Sequence, residues 1–272
     1  MIIRTHEDAK NDAVEDDKWI SRRYTLRADG MGHSMHETYI KPGQHLHMWY
    51  KNHKETVLCV DGEGQIEDLT EGGKWELKPG VLYCVGPTDQ HRIIRTEATD
   101  MRVISVFNPP IEGQETHDED GAYPPSGDIP PGKESMFVRT LGDVRAAGRE
   151  VVVGDGLATS QRYLTAADNL GFSFHSVLLT AGVGGDLWYK NHWEGNLILD
   201  GTMEVKDYAT DEVHELGPGS LYLVGPKDRH NVNPLTDVHV ISVFDPPLTG
   251  NEKRDEDGAY PPSGPIPPGP SQ

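Results

Sequence analysis

The sequence predicts an all-β protein built as two tandem jelly-roll-like barrels, each opened by a short helix. Three observations carry that prediction. The first is repetition at a long period: WYKNH begins at Trp49 and again at Trp188, VISVF at Val103 and Val240, and DEDGAYPPSG at Asp118 and Asp255, in the same order and spaced by about 137 positions. Repeats of that size are duplicated domains, since solenoid units are far shorter. The second is a series of short alternating runs, ETVLCV, GQIEDL, VLYCV, HRIIRT and MRVISVF, cut by glycine and proline, which is the pattern of barrel strands. The third is that only the stretches around HEDAKNDAVEDD and LGDVRAAGRE, at the openings of the two halves, read as helix.

A length of 272 residues suits two domains, each large enough to bury a core. The formal charge of −19 would repel phosphates, so nucleic acid is not an expected partner. No long apolar run and no export signal is present, so neither a membrane partner nor secretion is expected, and a cytoplasmic location follows by default. Cys59 and Cys84 are expected to be reduced and buried as small hydrophobes. Proline-rich chain runs from Pro124 to Ser135, and proline favours an extended connector. The expected boundaries are a first barrel over 1–127, a linker over 128–135 and a second barrel over 136–264.

Strand alternation then places side chains. In ETVLCV, Glu55, Val57 and Cys59 share one face, and burial of the valine and cysteine carries Glu55 inward. A carboxylate inside a barrel needs a cation, a hydrogen-bond network or a metal beside it. Tyr83 follows the Pro79-Gly80 turn, and His91 opens the next strand. Their counterparts in the second half are Glu194, Tyr222 and His230. His45, His47 and His53 are expected at the surface or rim, Trp49 and Trp188 in packing, and the DEDG runs in solvated turns.

A barrel with Glu55 followed by His91 resembles the cupin superfamily, whose first motif is approximated by Glu55 and Gly62 and whose second by Gly80, Pro87 and His91. The paired histidines of that first motif are absent, because their positions fall on Met48 and Tyr50. This departure, taken with WYKNHxE, GxLYxVGPxDxH, VFNPP and HDEDGxYP, resembles the ectoine synthases. The resemblance covers most of residues 1 to 124 and is weaker over 136 to 261. It implies a metal-dependent hydro-lyase that closes N-γ-acetyl-L-2,4-diaminobutyrate into a cyclic tetrahydropyrimidine with loss of water, for synthesis of a compatible solute. It implies Fe(2+), or another divalent metal, held by Glu55, Tyr83 and His91. It further implies substrate contacts at Trp19, Arg23, Thr38, Ser105 and Phe107, and proton transfer among Tyr50, His117 and Glu115. Ser105 stands where the family carries cysteine.

Site by site, the second half keeps Arg162, Tyr189, Ser242 and Phe244 for Arg23, Tyr50, Ser105 and Phe107. It replaces Trp19 by Ala158, Thr38 by Val177, Val57 by Asn196 and His117 by Arg254. The second pocket is therefore expected to be inactive, with Glu194, Tyr222 and His230 as a vestigial metal set, or to serve another ligand. Because the resembling family forms dimers of single barrels, a tandem chain is expected as a pseudo-twofold monomer, with a homodimer as the alternative. Two other functions fit the residues: a two-barrel cyclase or dehydratase acting on a different small amino acid, and a non-catalytic protein that binds a small molecule.

Overall fold

A computed structural model describes residues 1–95, 98–131 and 135–270. Linker positions 132–134 fall outside the described residues. The chain divides into two compact units, one formed by Ala9–Leu141 and the other by Met1–Asp8 together with Gly142–Gln272. Both are built almost entirely of antiparallel strands, as expected. The two α-helices, His6–Asn11 and Leu141–Ala146, lie in the two stretches read as helical.

In the Ala9–Leu141 unit a seven-stranded sheet runs in the order Phe137–Thr140, Val81–Val85, Lys54–Asp61, Met101–Asn108, Ser34–Ile40, Trp19–Arg23, Val14–Glu15. A four-stranded sheet of His45–Met48, His91–Ile94, Gly64–Asp68 and Lys74–Leu77 accompanies it. The apolar faces of the two sheets meet in one cluster that includes Val57, Cys59, Ile66, Leu77, Ile93 and Val103. This is the burial that period-two alternation predicts. The other unit repeats the plan, with Val238–Asp245 in the centre of its larger sheet beside Trp193–Asp200, and a core around Ile198, Val205, Leu216 and Val240.

The boundaries of the compact units differ from the sequence reading in one respect: the opening strand of each repeat is assigned to the other unit. Ile2–Arg4 pairs antiparallel with Leu221–Leu223, and Phe137–Thr140 pairs with Val81–Cys84. Each of these strands covers what would otherwise be a bare sheet edge, and backbone pairing carries no information about which repeat supplies the partner.

Cys59 and Cys84 are free and buried, and no described helix is long and apolar enough to cross a membrane. His45 and His47 are exposed, as expected, but His53 is fully buried and its Nε2 meets the Ser126 hydroxyl at 3.1 Å. It fastens the chain after the last strand onto the barrel, a long-range contact that local polarity does not announce.

Candidate functional site

Cross-strand register brings the expected residues of the first barrel onto one inner face. Val57 lies opposite both Tyr83 and Ser105, Glu55 lies opposite Phe107, and His36 lies opposite both Ser105 and Arg23. Trp19, Thr38, Tyr50, Glu55, Ser105 and His117 all line a narrow cavity of about 40 Å3, with Tyr83 and Phe107 in its wall. His91 comes from the smaller sheet and sets its ring against those of Tyr83 and Tyr50, with centroids 5.8 and 5.9 Å apart.

The trio of Glu55, Tyr83 and His91 is buried and left without partners at the atoms that matter. Glu55 Oε2, the Tyr83 hydroxyl and His91 Nε2 are each shut away from solvent with no hydrogen bond. Unmet polar groups of this kind are costly and rare, and three in one place mark a site that something else completes. Burial pushes the Glu55 carboxyl up to about 8 against a hydrogen bond from Ser105, raises Tyr83, and lowers His91 to about 4. An anionic oxygen, a phenol oxygen and a neutral imidazole are a donor set that a divalent cation satisfies. Among the described residues there is no cluster of three His, Cys, Asp or Glu side chains; here the third donor is a tyrosine.

A tail from Pro109 to Ser126 closes over this trio. The Asp118 carboxylate accepts from the backbone N–H groups of Asp120 and Ala122, at 3.0 and 2.9 Å, which folds the DEDG turn. Gly121 there has φ +76°, and an added Cβ would stand 2.6 Å from the His47 carbonyl oxygen, so only glycine lets the turn lie on the barrel wall. The turn carries His117 and Tyr123 inward. His117 Nε2 lies 2.9 Å from the Tyr50 hydroxyl, and Tyr123 stacks on Tyr50 at 5.7 Å and sits 4.3 Å from the His117 ring. Burial, then the Arg23 charge, lower His117 to about 4, while burial raises Tyr50. The pair therefore consists of a neutral imidazole and a protonated phenol, able to pass one proton along one hydrogen bond.

Arg23 and Glu115 stand elsewhere than in the cavity lining. The Arg23 guanidinium donates to the carbonyl oxygens of Gly113 and Glu115, the latter at 2.6 Å, and pairs with the Glu115 carboxylate at 3.5 Å. That carboxylate accepts from the N–H groups of Glu112 and Gly113, both at 2.6 Å. The two residues tie down the tail, leaving Arg23 Nε buried and without a partner. Thr38 donates its hydroxyl to Ser21 at 3.3 Å within the cavity.

Among the cavity residues that the sequence reading did not single out, His36 and Tyr123 matter most. His36 is buried, lines the cavity, rests on Phe107 with centroids 5.2 Å apart, and has Nε2 unpaired. Tyr123 supplies the stacking wall described above. The signal for both was available: His36 shares the inner face with Thr38 two residues on, and both recur, as His175 and Tyr260.

The second barrel assembles the same frame differently. Burial raises Glu194 to about 7, with Asn196, Arg254 and Ser242 pulling it down. Of its trio, only His230 Nε2 remains buried and unpaired; His230 Nδ1 meets the Asp228 carbonyl oxygen at 3.0 Å. Where His117 meets Tyr50, Arg254 donates instead to the Tyr189 hydroxyl at 2.7 Å. Arg162 repeats Arg23, donating to the Gly250 carbonyl and pairing with Glu252 at 3.5 Å.

The family model for ectoine synthase matches residues 1–127 and 136–264. The L-ectoine synthase of Halalkalibacterium halodurans is 49% identical over 123 residues, 45% of this chain and 90% of that protein. That of Bordetella petrii is 49% identical over 125 residues, 45% of this chain and 93% of that protein. Among solved structures, the Lactobacillus farciminis oxalate decarboxylase formate complex is similar with a TM-score of 0.67 and 11% identity, over 92% of this chain and 87% of that one. The putative glyoxylate-induced protein from Pseudomonas aeruginosa gives 0.66 and 12%, over 89% and 87%. Identities this low establish a shared cupin-like architecture and no more. With its family match spanning both repeats, the chain belongs to the ectoine synthase family and is, with it, an enzyme of the hydro-lyase type.

Proposed function

We propose that this chain is a tandem duplication whose first barrel carries out the ectoine synthase reaction, the cyclodehydration of N-γ-acetyl-L-2,4-diaminobutyrate. The observation that carries the reading is the convergence of Glu55 Oε2, the Tyr83 hydroxyl and His91 Nε2, buried and unpartnered, beside a Tyr50–His117 hydrogen bond. Glu55, Tyr83 and His91 would hold a divalent metal, ferrous iron by family resemblance, and such a cation supplies polarisation of an amide carbonyl, otherwise a poor electrophile.

The remaining work falls to the chain. The attacking amine must be neutral and the departing hydroxyl must gain a proton. His117 is neutral in the fold and accepts at a ring nitrogen, while the Tyr50 hydroxyl donates. Because each borders the same cavity, one proton can be taken and another delivered without crossing bulk water. Trp19 and Phe107 wall the space, and Thr38 and Ser105 offer hydroxyls to the bound molecule. Confinement of both ends of one flexible chain is where enforced proximity contributes most. Arg23 acts at one remove, holding the tail that delivers His117.

The test is product analysis. The iron-loaded full chain, supplied with the acetylated diaminobutyrate and followed by NMR, is expected to form the cyclic product. Tight binding without turnover would instead support a non-catalytic binding protein.

A further inference from the structure

We propose that the second barrel is a metal-free binding site for a small zwitterion, which it holds by the carboxylate, with the Arg254 guanidinium supplying the positive charge. Three independent observations lead there, and none depends on turnover in the first barrel.

The first is that the second barrel does not suit the family's metal. Arg254 lines the cavity with Glu194 and Tyr222. It packs over the rings of Tyr189 and Tyr260 at 5.5 and 5.1 Å and acts electrostatically on Glu194, Tyr222 and His230. A guanidinium is charged at every working pH, so a divalent cation among those three side chains would meet a fixed like charge. Asn196, in place of Val57, adds an amide beside Glu194, and Ser242 donates to its Oδ1 at 2.5 Å. The charge a metal would bring is already present as a side chain.

The second is unmet donor capacity. The Nε of Arg254, which lines the inner cavity, is buried with no partner. A cationic N–H without an acceptor is among the more costly vacancies a protein can keep, and a carboxylate fills it with charge-assisted hydrogen bonds.

The third is access. With Ala158 in place of Trp19, the inner cavity and a groove of about 780 Å3 share Val153, Leu157, Leu187, Arg254 and Tyr260 as lining. The corresponding mouth of the first barrel, bounded by Trp19, Met48 and His117, measures about 190 Å3. The rim of the larger groove carries Asp155, Asp186, Asp255 and Glu256 against one lysine, Lys253. Guanidinium within and carboxylates at the rim select a ligand that points its carboxylate inward and an amine outward.

The test uses the full chain with 4-aminobutyrate as probe, butyrate lacking the amine and butylamine lacking the carboxylate, by calorimetry and ligand-observed NMR. One molecule of 4-aminobutyrate per chain is expected to bind, butyrate more weakly, and butylamine not at all. Arg254→Gln is expected to weaken binding at least tenfold, Arg254→Lys to weaken it less because the charge stays while the Nε donor is lost, and Glu55→Ala to leave it unchanged. Melting curves confirm that both Arg254 variants fold. Metal counting on iron-loaded chain is expected to give one ion in the wild type and none in Glu55→Ala. The proposal is overturned if neither carboxylate binds, if Arg254→Gln binds as well as the wild type, or if Glu55→Ala abolishes binding. It is equally overturned by an ion that survives Glu55→Ala and disappears in Glu194→Ala. A wild type with no metal would refute the reading of the first barrel and leave this one standing.

Discussion

The two barrels present the same three side chains, Glu55, Tyr83 and His91 against Glu194, Tyr222 and His230, in two different electrical settings. In the first, a valine and a neutral histidine surround the trio, and its polar atoms are left unpaired. In the second, Asn196 and Arg254 occupy those places, and the carboxyl of Glu194 has an amide, a hydroxyl and a guanidinium to draw it down. On the proposals above, the difference teaches that the same three side chains need not make the same site. For a metal, what surrounds them must leave their lone pairs free and add no competing positive charge.

The largest expected effect is at the carboxylates. Glu55→Ala is expected to abolish formation of the cyclic product, whereas Glu194→Ala keeps most of the activity; equal losses, read by the same product assay, would erase the distinction between the barrels. Next comes proton transfer. His117→Ala removes the partner of Tyr50 and is expected to lower kcat by roughly 10²- to 10⁴-fold with a smaller change in KM. Arg254→Ala, at the equivalent position, is expected to leave kcat near the wild-type value. A His117→Ala enzyme with normal kcat would remove that pair from the mechanism.

The smallest effect is on stability, and it carries a sign. Glu55 ionises near 8 in the folded metal-free chain against an ordinary 4.5, so the fold keeps a proton that the unfolded chain has already released. Below about 4.5 the group is neutral in both states. Stability is then lost as the pH rises towards 8. Glu194 gives the same slope over a narrower window, ending near 7. Denaturant melts of the metal-free chain are expected to show this decline; Glu55→Gln is expected to leave only the shallower Glu194 slope, and added divalent metal to do the same in the wild type, since the second barrel takes none. A flat profile across that window would show that Glu55 is already compensated.

Much of this was legible in the chain. The repeat announced two domains, and alternation in ETVLCV turned Glu55 inward, because a strand's faces are fixed by a period of two. Comparing the repeats also exposed Ala158, Asn196 and Arg254 as departures. Other features were hidden. That Arg23 serves the tail, that His53 is buried against Ser126, and that His36 joins the cavity all depend on partners roughly 70 or more residues away. The assignment of Ile2–Arg4 to the strand Leu221–Val224 belongs with them, since backbone donors and acceptors are the same in every strand.

The sequence by itself therefore determined which side chains face inward and which differ between the copies, because both follow from local periodicity and from the repeat. Only the tertiary structure decided which inward atoms are left unpaired and which have been answered. Pairing is a property of atoms brought together in space, and the decisive partners here come from distant parts of the chain, as Tyr50 and His117 do.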